Sequence, residues 1–413
     1  MNLELLSPAG SLEKLRFAAA YGADAVYAGA PAFSLRNAAE KFTLDEFALG
    51  LVELHAAHKK LYLAANVFFH NEDLVPFEAF LDEAVPLGFD GIILSDLGMI
   101  DLVRTRYPDL DVHVSTQANT TNKAAARVYQ SLGVKRLVLA RELTLDEIRE
   151  IRGAVDLELE AFVHGAMCIS YSGRCLLSNY FSHSPQVPGG TRDANRGDCT
   201  QVCRWEFALT EKTREGEYFP VEESRYGTAI LSSRDLNMAT HLGDLIKAGV
   251  QSFKIEGRMK SAWYAAMTTR VYRHALDRAR QGLAPDDEIL AELERISHRE
   301  YTTGFYYQKG REPDSTGALS GQSLRNSTQD QLLLAQIDRV GTTIAGRALN
   351  PIRQNTPLQT RNPGFGDGVL QNYVLRVGGE VRDLVRPTEC FELESPDPAL
   401  QAMAPYSLLL QDL

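Results

Sequence analysis

Residues 3–29 read LELLSPAGSLEKLRFAAAYGADAVYAG. A short apolar run, LELLSPAG (3–10), gives way to an amphipathic stretch, and a second apolar run, DAVYAG (24–29), follows. Ser11 stands where a helix needs an N-cap, and Gly22 stands just past the last helical residue. The stretch therefore reads as strand, helix, strand. Two strands joined this way lie parallel, with a right-handed crossover.

The unit recurs along the chain. Further apolar runs are KLYLAAN (60–66), GIILSD (91–96), DVHVSTQ (111–117), KRLVLARE (135–142) and LELEAFVHG (157–165). Helical patterns such as TLDEFALGLVELHAAHKK, DLVPFEAFLDEAVPLG, TNKAAARVYQSLG and TLDEIREIRG separate them. Thr43 and Thr144 take the N-cap place, and Gly133 and Gly153 lie past helix ends. An eighth run, QSFKIEGR (251–258), comes after a long interruption and leads into SAWYAAMTTRVYRHALDRARQG. Eight alternations predict an α/β chain folded as a (β/α)8 TIM-like barrel that closes near residue 283. The alternative is an open doubly wound sheet. Its dinucleotide-binding form lacks support, because no G-x-G-x-x-G follows the first strand.

The interruption, about 166–250, is a cysteine-rich insert between strands seven and eight. Barrel and insert together fill 1–311. The segment 312–330 is rich in turn formers and reads as a linker. From 331 to 413 short strand-like runs alternate with Gly, Asn and Pro, which predicts a small β-barrel-like C-terminal domain.

Bulk properties narrow the function. No apolar run reaches the roughly 18 residues of a membrane span, and MNLELLSPAGSLEKL lacks the regions of a signal peptide. A cytosolic protein is expected, and there disulfides are rarely kept. The net charge of −11 argues against general nucleic-acid binding while leaving room for a local basic patch. KIEGRMK, with Arg270, Arg273, Arg278, Trp263 and Tyr264 on the next helix, reads either as such a patch or as a solvated helix face.

Four of the five cysteines fall in the insert: Cys168, Cys175, Cys199 and Cys203. Four thiols in one cytosolic loop point to a metal rather than to four inert, packed side chains. The spacing is C-x6-C and C-x3-C, whereas zinc ribbons favour C-x2-C. Iron–sulfur clusters tolerate looser spacing, so iron–sulfur stands only slightly ahead of zinc on spacing alone.

Barrel chemistry sits at the C-terminal strand ends. Those ends carry Ser7, Tyr27, Asn66, Ser95, Asp96, Ser115, Gln117, Arg141, Glu142, His164, Lys254, Glu256 and Arg258. Arg141 and Arg258 suit an anionic ligand such as a carboxylate or phosphate, with Glu142 and Glu256 as counter-charges. The competing reading is a set of structural ion pairs at the rim. His164, four residues before Cys168, could serve as a metal ligand, an acid–base group or a core histidine. H-E-x-x-H and G-x-S-x-G are absent, so the common protease signatures are missing.

Several long motifs resemble one family. ELEAFVHGAMCISYSGRCLLS (158–178), the opening ELLSPAGSLEKLRFAAAYGADAVYAG, HVSTQANTTN and FKIEGRMKSAWY are similar to the collagenase-like "unassigned peptidase" family 32. Within it, RCLLSNY, CTQVCRWEF, the length and the trailing β domain resemble the bacterial members that hydroxylate tRNA using prephenate. The resemblance implies 5-hydroxyuridine formation at the wobble position, with the anticodon loop of tRNA as partner and prephenate as a small carboxylate co-substrate. It also implies a 4Fe-4S cluster on Cys168, Cys175, Cys199 and Cys203. His164, Arg141 and Glu256 are then the expected catalytic residues, and Lys254, Arg258, Asn66 and Gln117 the expected substrate-binding ones. A base modified in an anticodon loop must be splayed into a pocket. The family name keeps a collagenase-like peptidase as the first alternative, and a non-catalytic RNA-binding or assembly factor as the second. Neither a membrane partner nor a defined oligomeric state is implied.

Overall fold

The computed structural model describes residues 3–35, 42–168, 170–175, 178, 193–202, 223–224, 227–228, 234–307 and 331–412. Cys203, the segment 184–191, most of the segment 209–228 and the 312–330 linker lie outside them.

Eight parallel strands close into a barrel. They are β1 (Glu4–Ala9), β2 (Ala25–Gly29), β3 (Lys60–Ala65), β4 (Gly91–Leu94), β5 (Val112–Val114), β6 (Arg136–Val138), β7 (Glu158–Ala166) and β8 (Ser252–Ile255). Each pairs with the next, and β8 pairs with both β7 and β1, which shuts the ring. The helices between them are α1 (Leu12–Ala20), α2 (Leu44–Ala56), α3 (Asn71–Ala84), α4 (Leu97–Arg106), α5 (Lys123–Ser131) and α6 (Leu145–Arg152). In the insert α7 (Leu242–Lys247) precedes β8, and α8 (Ala262–Arg280) follows it. The side chains of Ser11, Thr43 and Thr144 cap α1, α2 and α6, each accepting from the N3 amide. The barrel is therefore the TIM-like one that the alternation predicts.

Several elements, α7 among them, were not in the sequence reading, and two of these adjoin strand ends. One is α4, capped by Asp96, which accepts from the Met99 amide. The other is a short strand, Asp235–Asn237, that runs antiparallel to the end of β7. No helix among the described residues is long and apolar enough to cross a membrane.

The C-terminal part is an eight-stranded antiparallel sheet between Gln331 and Asp412, with a separate two-stranded pairing. Its own core contains Leu334, Ile337, Leu375, Phe391, Leu393 and Leu409. The two outermost strands of this sheet do not pair with each other among the described residues, so it is a half-barrel. It packs on α1 and α8. The Tyr21 hydroxyl donates to the carbonyls of Arg361 and Tyr406, and Arg270 donates to Glu292 and Asp367.

That contact corrects the basic-patch reading of α8. Arg270 is fully buried in ion pairs between the two parts of the chain, and Trp263 and Tyr264 are buried as well. Arg273 is paired with Asp24 and Asp277. What looked like a charged helix face is largely packing surface.

Candidate active site

The barrel interior is not apolar throughout. At its N-terminal end Arg136 is 4% exposed and reaches Glu4, Glu158 and Glu160 at 2.5, 2.7 and 3.0 Å. Burial alone would raise the Glu4 carboxyl, but the Arg136 guanidinium outweighs it and holds that carboxyl below its ordinary range. Glu160, with no exposure, also accepts from Lys254 Nζ at 2.7 Å. Burial pulls the Lys254 ammonium down, and Glu160 partly offsets this. A column of alternating charge thus climbs the barrel axis from Glu4 to Lys254.

Lys254 is where the column meets the mouth. There a cavity open to solvent is lined by Tyr27, Asn66, Ser115, Gln117, Arg141, Phe162, Lys254, Glu256 and Arg258, among others. Six of the seven non-cysteine site residues expected from the sequence meet in this one space. Arg141 lies over the Phe162 ring at 3.9 Å and donates to the Ala166 carbonyl at 2.9 Å. Asn66 Nδ2 donates to Ser115 Oγ at 3.3 Å, and its Oδ1 accepts from the Leu35 amide. Glu256 accepts from the Gly257 amide at 2.6 Å and from the Tyr27 hydroxyl at 3.4 Å.

The opening stretch of sequence seats Arg258. A Cβ on Gly10 would lie 2.3 Å from the Arg258 carbonyl oxygen, and one on Gly29 would lie 2.7 Å from its Nη1. Glycine at position 10 leaves room for that backbone, and a Cβ at position 29 would displace the guanidinium from its place. Arg258 Nη1 donates to Ser34 Oγ.

Other strand-end residues take structural roles. Ser7 faces outward and hydrogen-bonds Thr269 on α8 at 2.8 Å. Asp96 caps α4, and Glu142 holds the insert.

His164 does not reach the cavity. Simple alternation along β7 places it inside, on the face of Glu160 and Phe162. The pairing with β8 slips, however: Phe162 lies opposite Lys254 and His164 opposite Ile255, so β7 spends one extra residue there. This bulge turns His164 to the outer layer. Its ring lies among Tyr264, Tyr272 and Tyr301, and it is 1% exposed. Burial drives its pKa down to about 3; Asp235 opposes that, while His298 and Lys260 reinforce it. The unfolded chain then binds more protons than the folded one between roughly pH 3 and 6.5, so this residue's contribution is lost as pH falls through that window. His164→Gln should flatten the pH dependence of the unfolding free energy measured in urea between pH 4.5 and 7, by up to about 1.4 kcal/mol per pH unit. Parallel slopes for variant and wild type would show that His164 does not titrate on unfolding.

The insert is fastened across the mouth. Ser172 donates to Glu142 through its amide and hydroxyl, at 2.5 and 2.6 Å. Arg174 donates twice to the Gln117 carbonyl. On the far side Arg196 pairs with Asp73, and the Phe68 amide donates to the Asn195 carbonyl. The Asn195 side chain brackets the Cys175 backbone, and Ser178 bonds to Thr200 and the Asp198 carbonyl. These bonds hold the Cys175 segment beside the Cys199 segment. The Gln201 amide donates to Cys199 Sγ at 3.4 Å, a contact of the kind that tunes cluster sulfurs. Among the described residues no three His, Cys, Asp or Glu side chains converge as a metal site, and Cys203 lies outside them. As a donor set, four thiols between residues 168 and 203 of the sequence suit a soft metal or cluster.

A family model described as peptidase family U32 matches residues 10–316. The chain belongs to peptidase family U32. This U32 chain is 43% identical over 342 residues to tRNA hydroxylation protein P of Escherichia coli (strain K12), covering 73% of this chain and 74% of that protein. It is 38% identical over 276 residues to the 23S rRNA 5-hydroxycytidine C2501 synthase of the same organism, covering 67% of this chain and 39% of that one. A third U32 relative, called an uncharacterized protease, of Methanocaldococcus jannaschii, is 42% identical over 313 residues, covering 74% and 73%.

Proposed function

We propose that this chain is an RNA-modifying enzyme that hydroxylates the wobble uridine of tRNA to 5-hydroxyuridine, with prephenate as co-substrate. The observation that carries the reading is the cavity at the barrel mouth. On a chain of net charge −11 it gathers Arg141, Lys254 and Arg258 around one carboxylate, Glu256. Three cations in a partly desolvated space suit a small carboxylate ligand beside an RNA phosphate. Asn66 and Gln117 offer amide groups to the edge of a splayed base. Arg141 and Glu256 are assigned the catalytic roles, as charge stabiliser and acid–base group. His164 receives none in this scheme, because its ring lies outside the cavity. Relatives named for tRNA and rRNA hydroxylation support the RNA substrate.

Cys168, Cys175, Cys199 and Cys203 are proposed to hold a 4Fe-4S cluster. Bound there, such a cluster would supply one-electron or Lewis-acid chemistry at the mouth. The chain's own residues bind and orient the substrates.

Reconstitution tests the whole reading. Anaerobically purified protein should be brown, with about 4 Fe per chain. With prephenate and unmodified tRNA it should yield a wobble nucleoside one oxygen heavier. A colourless, zinc-loaded preparation would overturn the cluster. Unaltered nucleosides despite tight tRNA binding would leave a non-catalytic RNA-binding factor. Cleavage of denatured collagen that Cys168→Ala abolishes would make it a peptidase.

A further inference from the structure

We propose that the short strap Ser170–Arg174 is a platform for stacking an unpaired nucleobase, and that Tyr171 is its stacking residue. The inference rests on the RNA reading above and adds a contact outside the cavity.

The strap crosses the rim between two strands whose ends line the cavity. Ser172 is tied to Glu142, the residue after Arg141, and Arg174 is tied to the carbonyl of Gln117. Arg141 and Gln117 both line the cavity. The strap is thus pinned at two points beside the place where a base would enter.

Its conformation is unusual in one respect. Ser172 has φ 43° and ψ 31°, the left-handed region that a residue with a Cβ adopts only at a cost in free energy. That turn buries Ser172, at 3% exposure, and sends Tyr171 outward at 53%. The turn serves the Ser172–Glu142 bonds and leaves the Tyr171 ring in solvent, where packing does not use it. It has a use in recognition, because every base offers a π-face to a fixed aromatic ring. A tyrosine on a rigid strap also loses little rotamer freedom on binding.

The charges around the ring are mixed: Glu142 and Glu147 lie near it, and Arg174 is the cation of the strap. Arg174 is exposed and lies 5.2 Å from the Phe68 ring, one strand end away from Arg141 and the cavity. A nucleotide taken into the cavity leaves its neighbour unstacked at the rim. The strap offers that neighbour a ring to stack on and a guanidinium for its phosphate. Tyr171 is in this account a positioning residue: it fixes where the RNA lies and takes no part in the chemistry.

The test is binding of a fluorescent anticodon stem-loop to the full chain, followed by anisotropy. Tyr171→Ala should weaken binding about tenfold, and Tyr171→Phe should bind within about twofold of wild type. In turnover the alanine variant should raise KM for tRNA and leave kcat near wild type, while the KM for prephenate stays unchanged. Glu142→Gln, which loosens the strap and leaves the ring in place, should weaken RNA binding by a smaller factor. Wild-type protein that fails to bind the stem-loop would overturn the RNA reading itself. Wild-type binding that Tyr171→Ala leaves intact, or that Tyr171→Phe lowers as much as alanine does, would overturn the platform alone.

Discussion

Replacing Arg136 by alanine should cost about 3–5 kcal/mol of stability, the range expected when one partner of a buried ion network is removed. Arg136 faces Glu4, Glu158 and Glu160 together. Without it Glu160, fully buried, keeps only Lys254 as a counter-charge. Glu4 loses the group that holds its carboxyl down. That carboxyl is depressed in the folded state, so its contribution is present above the unfolded pKa and is lost as pH falls. Urea unfolding at pH 7 reads the loss. The difference between wild type and variant should narrow toward pH 4, where the stranded carboxylates can protonate. A second variant, Arg136→Met with Glu4→Gln, should recover part of the loss, because it removes charge on both sides and keeps the Glu160–Lys254 pair. A loss under about 1 kcal/mol for Arg136→Ala would mean that water already solvates the barrel floor.

Glu256→Gln should lower turnover by about 10²–10⁴-fold, the usual worth of a positioned acid–base group. The amide keeps the shape of the carboxyl and can still accept from the Gly257 amide and the Tyr27 hydroxyl. Folding should therefore change little, and the KM for tRNA should stay near wild type. The readout is kcat for the modified nucleoside at saturating prephenate. A kcat within threefold of wild type would reduce Glu256 to a counter-charge for the cations around it.

Much of this architecture was legible in the chain. The barrel followed from alternation and from helix caps whose side chains do bond to the N3 amide. The cavity followed from reading polar residues at strand ends, and eight of them meet there. Helix α4 escaped notice because its buried face is only Met99, Ile100 and Val103, while Leu97 is 57% exposed. The strand at Asp235–Asn237 is too short to carry a period of two. His164 could not be placed, because a one-residue bulge leaves no mark on the letters LELEAFVHG, yet it reverses which way every later side chain points. Arg270 failed for the opposite reason. A helix face reads as solvated when the domain that covers it lies about a hundred residues further on.

The charged column inside the barrel has a further consequence, during synthesis. Strand β8 is the piece that closes the ring, and it follows β7 by some 85 residues. At ribosomal rates of about 5–20 residues per second, that is roughly 4–17 s in which seven strands can form with two raw edges. An open, apolar sheet left that long would invite edge-to-edge pairing with other nascent chains. Glu4, on the waiting edge strand β1, and Glu158 and Glu160, on β7, point carboxylates into what will become the lumen. Two such half-built sheets would have to bury those charges against each other to join. The ions that make the finished interior costly thus make the unfinished one a poor partner for its own copies.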